Sequence, residues 1–417
     1  MYKLADYADF TQNGDVMKYI IVLGDGMADE PISDLGGKTP LGFANTKTLD
    51  YLSKKSEIGL CKTVPDGMKP GSDTANLSVL GYDPQIYYSG RSPLEALSIG
   101  VDMKDTDIAI RCNIVTVSED DVPYEDKKII DHSASEIATE EAAILLQAVK
   151  DELESDTYKF YVGTSYRHLT IWDKGSVAEL TPPHDILGKV IKEYLPEEMA
   201  LKAMMEKSYD ILNNHPINIA RSEKGLNKAN SIWFWGAGTR PALDSFVDKF
   251  HKRGAMISAV DLLKGIAVGA KMKVVEVPGA DGTLHTNYEG KAMAAVRELT
   301  ENNYDFVYIH VEAPDEMGHQ GSVMNKIKAI EYLDERVIKV VKDQMEALSI
   351  EYRMLVMPDH PTPIYLRTHT SNPVPYMLYD STNEQSNDWE YNEAKAADSG
   401  NYVKNGYEMI LKLFSHS

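Results

Sequence analysis

RMLVMPDHPTPIYLRTHTSNPVP, spanning Arg353–Pro375, begins as an apolar run and ends in polar chemistry. Met354 to Pro358 has the length and content of a buried strand, and Asp359 and His360 follow at its carboxyl end. His369 comes nine residues after His360, in a turn-rich loop. A carboxylate and two imidazoles at the exit of a strand suit a divalent ion such as Zn or Mn. On their own these residues fit a capped loop equally well. Two further stretches repeat the arrangement. Tyr304–His319, YDFVYIHVEAPDEMGH, runs from an apolar strand to Asp315, with His319 four residues on. Lys18–Asp29, KYIIVLGDGMAD, puts Asp25 directly after a strand. Three strands thus deliver an acid at the carboxyl end, the edge where open α/β sheets hold their ligands.

The bulk properties agree with such a sheet. Of the 417 residues, 43% are apolar, enough for two domains or for one with a large insert. The net charge of −21 argues against nucleic acid or an anionic membrane as partner, because both are gripped by basic patches. The two cysteines, Cys61 and Cys112, have no metal-binding spacing, which is the usage of a reduced, cytoplasmic protein. No apolar run reaches the roughly 18 residues of a membrane span. The first 16 residues are polar and acidic, without a signal-peptide core. Since Met17 directly precedes the first strand, that segment is expected to be an extension.

Along the chain, Tyr19–Leu23 is the first strand and Gly24-Asp25-Gly26 its turn. Gly37-Lys38-Thr39 resembles a phosphate-binding loop only briefly, because Ile32 stands where its first glycine belongs and Pro40 interrupts the helix. Gly71-Ser72-Asp73-Thr74-Ala75-Asn76 opens a helix expected from Thr74 to Leu80. Ser72 or Asp73 there reads first as an N-cap. The alternative is a serine nucleophile assisted by the helix dipole and a metal. From Ser89 to Leu226 short alternating segments and an acidic helix replace the earlier pattern, as in an inserted α+β module with linkers near Ser89–Pro93 and Glu223–Ala229. After Asn227 strands and helices alternate again, beginning with Ser231–Trp235, which predicts a parallel sheet covered on both faces. Ser322–Leu348 is amphipathic, with Ile327, Ile330, Leu333, Val337 and Val340 on one stripe.

The motifs GDGM (Gly24–Met27), GSDTAN (Gly71–Asn76), EAPDEMGH (Glu312–His319), PDHPTP (Pro358–Pro363) and RTHTSNPVP (Arg367–Pro375), in this order, resemble the archaeal-type cofactor-independent phosphoglycerate mutases of the alkaline phosphatase superfamily. The resemblance implies an α/β fold, an alkaline-phosphatase-like parallel-sheet sandwich at 17–88 and 227–417 carrying an inserted α+β substrate or lid domain at 89–226. It also implies two divalent metal ions, Mn, Zn or Mg. One would be held by Asp315, His319 and His369, the other by Asp25, Ser72, Asp359 and His360. A free serine hydroxyl is too weakly acidic to attack phosphorus near neutral pH, so Ser72 would be activated by its metal and carry the phosphoryl group. The group would pass between the two hydroxyls of glycerate, interconverting 3- and 2-phosphoglycerate without bisphosphoglycerate. Lys264 approximately matches a phosphoryl-neutralising lysine of larger relatives. His132 is a candidate for proton transfer, and Arg111, Asp131, Arg167, His168 and Arg240 for binding a small phosphorylated substrate. His310, within a strand, reads as structural. Bacterial relatives described as homoserine kinases leave a kinase as an alternative, and a metal-dependent phosphatase or phosphodiesterase is another. Oligomerisation remains open.

Overall fold

The apolar runs KYIIVLG, FVYIHV and YRMLVM become three adjacent strands without one exposed residue, as expected for strands covered on both faces. In the computed structural model, which describes residues 17–177 and 179–415, the first strands are β1 (Lys18–Gly24), β2 (Glu57–Cys61), β3 (Ile108–Val117), β4 (Ile129–Asp131), β5 (Tyr158–Thr164), β6 (Arg167–Trp172) and β7 (Ser231–Thr239). They are followed by β8 (Gly254–Ile257), β9 (Lys273–Val274), β10 (Phe306–Val311), β11 (Tyr352–Met357), β12 (Val374–Asp380) and β13 (Tyr402–Val403). The expected extension at residues 1–16 lies outside the described residues.

The chain divides into two compact units, one running to Tyr88 and resuming at Leu243, the other comprising Ser89–Ala242. The first holds an eight-stranded sheet in the order β13-β2-β12-β11-β1-β10-β8-β9. Its centre is parallel, and β12 alone runs against its neighbours β11 and β2. This is the α/β class that the strand–helix alternation predicts. Ile20, Ile21, Val22 and Leu23 of β1 are wholly buried, each side chain contributing about 1.5–3 kcal/mol. The helices Tyr288–Thr300 and Val323–Leu333 cover the sheet through Ala292, Val296, Leu299, Ile330 and Leu333. The predicted amphipathic stretch is helical from Val323 to Ala347, interrupted by a π-helical turn at Asp334–Ile338. There the Asp334 carboxylate accepts the backbone N–H groups of Thr48 and Leu49 at 3.0 and 2.7 Å.

In the second unit β3 pairs antiparallel with β4, β6 and β7, and β5 pairs with β6. Ile110, Cys112, Phe160 and Phe234 pack with Leu145 and Val149 of the helix Thr139–Leu153 and Met205 of the helix Met199–Leu212. One expected boundary moves. The insert extends to Ala242 rather than Leu226, because β7 pairs along β3 from Val115–Ser231 to Ile108–Thr239 instead of joining the parallel sheet. A short apolar run such as SIWFW marks a buried strand but carries no information about which sheet it enters. The expected linker at Glu223–Ala229 accordingly falls inside this unit, where the Asn218 side chain bonds both backbone groups of Ala229.

Candidate active site

All three acid-bearing segments leave neighbouring strands, since β1 lies between β10 and β11. Asp25, Asp315 and Asp359 therefore meet at one sheet edge, and the backbone must turn tightly to bring them together. Gly26 has φ +58°, and a Cβ there would sit 2.5 Å from Thr362 Oγ1 and 2.8 Å from Asp315 Cα. Only glycine fits that approach. Its N–H donates to Asp359 Oδ1 at 3.0 Å, tying the first loop to the third.

Two groups of side chains converge with the spacing of metal ligands: Asp25, Asp359 and His360, and Asp315, His360 and His369. His319 Nε2 lies 3.1 Å from Asp315 Oδ2 and 3.0 Å from His369 Nε2. Asp315 and His319 share one face of the short helix Ala313–His319, as their i, i+4 spacing requires. His360 thus stands between the two groups, a placement the assignment to a single ion does not include.

Ser72 is the first residue of the helix Ser72–Val79, whose N-cap is Gly71 with no side-chain cap bond. The N-cap reading of Ser72 therefore fails. Its Oγ lies 3.1 Å from His360 Nε2 instead. Asn76, one turn later, donates to both Ser72 O and Asp359 Oδ2 at 2.8 Å, and Tyr308 donates to Asn76 Oδ1 at 2.5 Å. Asn76 joins the serine helix to the third loop. The motif GSDTAN contains it, and the i, i+4 offset from Ser72 is the signal that could have found it.

The electrostatics fit a cationic occupant. Burial, then the charges of Asp359 and Asp315, push the Asp25 carboxyl well above the usual carboxylate range. Its Oδ1 is buried without a hydrogen-bond partner, a cost that a coordinated ion removes. Burial also resists ionisation of Asp315, but bonds with His319 and His369 outweigh it and hold that carboxyl well below its ordinary value. Burial lowers His360 and lowers His310 to about 3. The bond to Asp315 raises His319 to about 9. A histidine raised on folding stabilises most below its unfolded value, about 6.5, and loses that contribution as pH climbs through 9. In chelator, the melting temperature should therefore fall between pH 6.5 and 9.5 by more in the parent protein than in His319→Gln. Parallel curves would contradict the Asp315–His319 ion pair.

The other predicted residues divide. Lys264 pairs with Glu276 at 2.9 Å. In the second unit Arg111 binds Glu95 through two nitrogens and lies 4.4 Å over the Trp235 ring. His184 stands 5.3 Å from Trp235 and 6.1 Å from His132. His132 also meets Tyr166, over which Arg167 lies. Arg111, Arg167 and His132 are thus linked through aromatic rings. His168 is turned into the packed sheet, 2% exposed, its Nδ1 accepting from Gly163 N and its acidity set by burial at about 4. Asp131 is occupied by its own loop. Burial works against ionisation, but bonds from Ser133, Asn227 and Ser135 hold its carboxyl down at about 2. These bonds hold Ala134, Ser135 and Glu136 at φ 50–57° beside His132. Arg240 forms an exposed ion pair with Asp105 at 2.9 Å.

Comparison with known proteins identifies the family. A chain from Methanosarcina barkeri named 2,3-bisphosphoglycerate-independent phosphoglycerate mutase is 48% identical over 92% of this chain and 96% of its own. The chain belongs to that family. A Geobacter sulfurreducens relative, named a probable mutase of the same kind, is 46% identical over 94% of this chain and 98% of its own. The family model of 2,3-bisphosphoglycerate-independent phosphoglycerate mutase matches residues 53–218, from before Ser72 to well inside the second unit. Among solved structures, a Pyrococcus horikoshii protein superposes with a TM-score of 0.80 at 28% identity, covering 96% of this chain and 99% of that one. The cofactor-independent phosphoglycerate mutase from Thermoplasma acidophilum gives 0.65 at 26% identity, covering 95% and 98%. For a member of this mutase family, the described residues hold no helix long and apolar enough to cross a membrane. Both cysteines are free and buried.

Proposed function

We propose that this enzyme interconverts 3-phosphoglycerate and 2-phosphoglycerate by metal-dependent phosphoryl transfer through Ser72. The observation that carries the reading is the Ser72 hydroxyl, which caps nothing and lies 3.1 Å from His360 Nε2 among the convergent carboxylates and imidazoles. Asp25, Asp359, His360 and Ser72 would hold one divalent ion, and Asp315, His319 and His369 the other, with Mn, Zn or Mg suited to these donors. When bound, the ions lower the acidity barrier at the serine hydroxyl and offset charge on the phosphoryl oxygens. Ser72 Oγ would give up its proton and form a bond to phosphorus as the bond to the glycerate oxygen breaks, and that oxygen would take up a proton to become a hydroxyl. The freed glycerate turns over, its other hydroxyl attacks, and the Ser72–phosphorus bond breaks. The phosphoryl group is conserved, so the cycle needs no nucleotide.

In this reading the Ser89–Ala242 unit supplies side chains that recognise the anionic substrate. Arg111, Arg167 and His132 are the groups for that task, linked as they are through Trp235, His184 and Tyr166. Glu95 holds Arg111 through Nε and Nη2, and Nη1 is the nitrogen that would reach a substrate carboxylate or phosphate. Purified, Mn-loaded protein should convert 3-phosphoglycerate to 2-phosphoglycerate with ATP absent. Free phosphate as the main product would make it a phosphatase. Inert phosphoglycerate together with phosphorylation of homoserine from ATP would make it a kinase.

A further inference from the structure

The two oxygens of Asp25 have different surroundings. Oδ2 lies 2.8 Å from His310 Nε2. Oδ1 is buried, has no hydrogen-bond partner and lies 3.5 Å from His360 Nε2. His310 comes from the interior of β10 and is wholly buried. Its other ring nitrogen, Nδ1, is 3.1 Å from Ser258 Oγ. That hydroxyl oxygen accepts the backbone N–H of Val260 at 3.0 Å, and because an ionised Asp25 ligand can only accept from Nε2, Ser258 donates its own proton to Nδ1. Nδ1 then accepts, Nε2 carries the ring proton, and Nε2 donates to Asp25 Oδ2. The backbone is held at the same residue, since Lys291 Nζ, also fully buried, donates to His310 O at 2.9 Å. An aspartate without such a partner can rotate to offer either oxygen or both. Here one oxygen is engaged and the other faces the convergent donors.

We propose that His310, set in its tautomer by Ser258, is a positioning residue that presents Asp25 to a divalent ion through Oδ1 alone. The proposal rests on Asp25 being a metal ligand, as read above. Outer partners of metal ligands typically govern affinity by about 10–100-fold. A histidine that is merely a satisfied core residue would have no such effect.

The test is Mn binding to the chelator-stripped, full-length protein, followed by the free-ion electron paramagnetic resonance signal. The parent protein should bind two equivalents and Asp25→Ala only one. His310→Leu should bind one equivalent as the parent does and the other about 10–100-fold more weakly. His310→Gln keeps an N–H donor near the position of Nε2 and should restore most of that loss. Ser258→Ala should weaken the same equivalent by a smaller factor, and it carries the test if His310→Leu does not fold. Parent-like affinity for both equivalents in His310→Leu, or in Ser258→Ala where that variant stands in, would overturn the proposal. So would a His310→Gln protein as weak as His310→Leu. If the parent bound no Mn, or Asp25→Ala kept both equivalents, the ligand reading would itself be wrong and the proposal would fall with it.

Discussion

Ser72→Ala should lower phosphoglycerate turnover by a factor on the order of 10^6, the loss seen when the covalent serine nucleophile of a hydrolase is deleted. The fold should survive. Ser72 is the first residue of its helix, its side chain makes no cap bond, and Ala is the best helix former. Asn76 would still join the helix to Asp359, because it reaches Ser72 through the backbone carbonyl. At least one Mn should still bind, since Asp315, His319 and His369 are untouched. A variant that kept more than a tenth of the parent turnover would mean that Ser72 is not the acceptor of the phosphoryl group.

The second large effect is on stability. Lys326, fully buried, donates to Asp29 Oδ2 at 2.8 Å, Thr362 O at 2.8 Å and Ala28 O at 3.2 Å. All three ammonium donors are used, and they fasten the loop after β1 to the loop after β11. Burial lowers the lysine's pKa and the neighbouring Asp29 opposes that shift. Lys326→Met removes the cation and leaves the buried Asp29 carboxylate unpaired, which costs about 3–5 kcal/mol. The melting temperature should drop by roughly 10 °C. Because the uncompensated charge is what costs, Asp29→Asn in the Lys326→Met background should recover part of the loss. Thermal unfolding of the parent and both variants in chelator checks this, and a drop of less than about 2 °C in Lys326→Met would contradict it.

The candidate site was legible where a strand hands a polar residue to the sheet edge. Asp25, Asp315, Asp359 and His360 follow apolar runs, and parallel packing brings such ends together whatever the intervening sequence. Ser72 was ambiguous, because a serine at a helix start looks the same as a cap until its hydroxyl is placed. The family motifs, not the spacing, favoured the nucleophile. Residues that support these groups were not legible. His310 occupies a strand position where a core residue and a partner of Asp25 look alike, and only the register of β10 beside β1 brings them together. Thr362, which donates to Asp315 Oδ1, sits in a loop whose path no periodicity encodes. The same limit moved β7 into the other sheet, since an apolar run records burial and not its neighbour. Asp131 and His168 show a related limit. Their types suit substrate binding, but one carboxylate is occupied by its own loop and one imidazole is buried in the packed sheet.

The most direct measurement is to stop the Mn-loaded enzyme in acid during turnover of 3-phosphoglycerate and map phosphate by peptide mass spectrometry. Phosphate on the fragment carrying Ser72, absent when substrate is omitted, is the expected result. No phosphate on the Ser72 fragment while 2-phosphoglycerate accumulates would contradict transfer through Ser72.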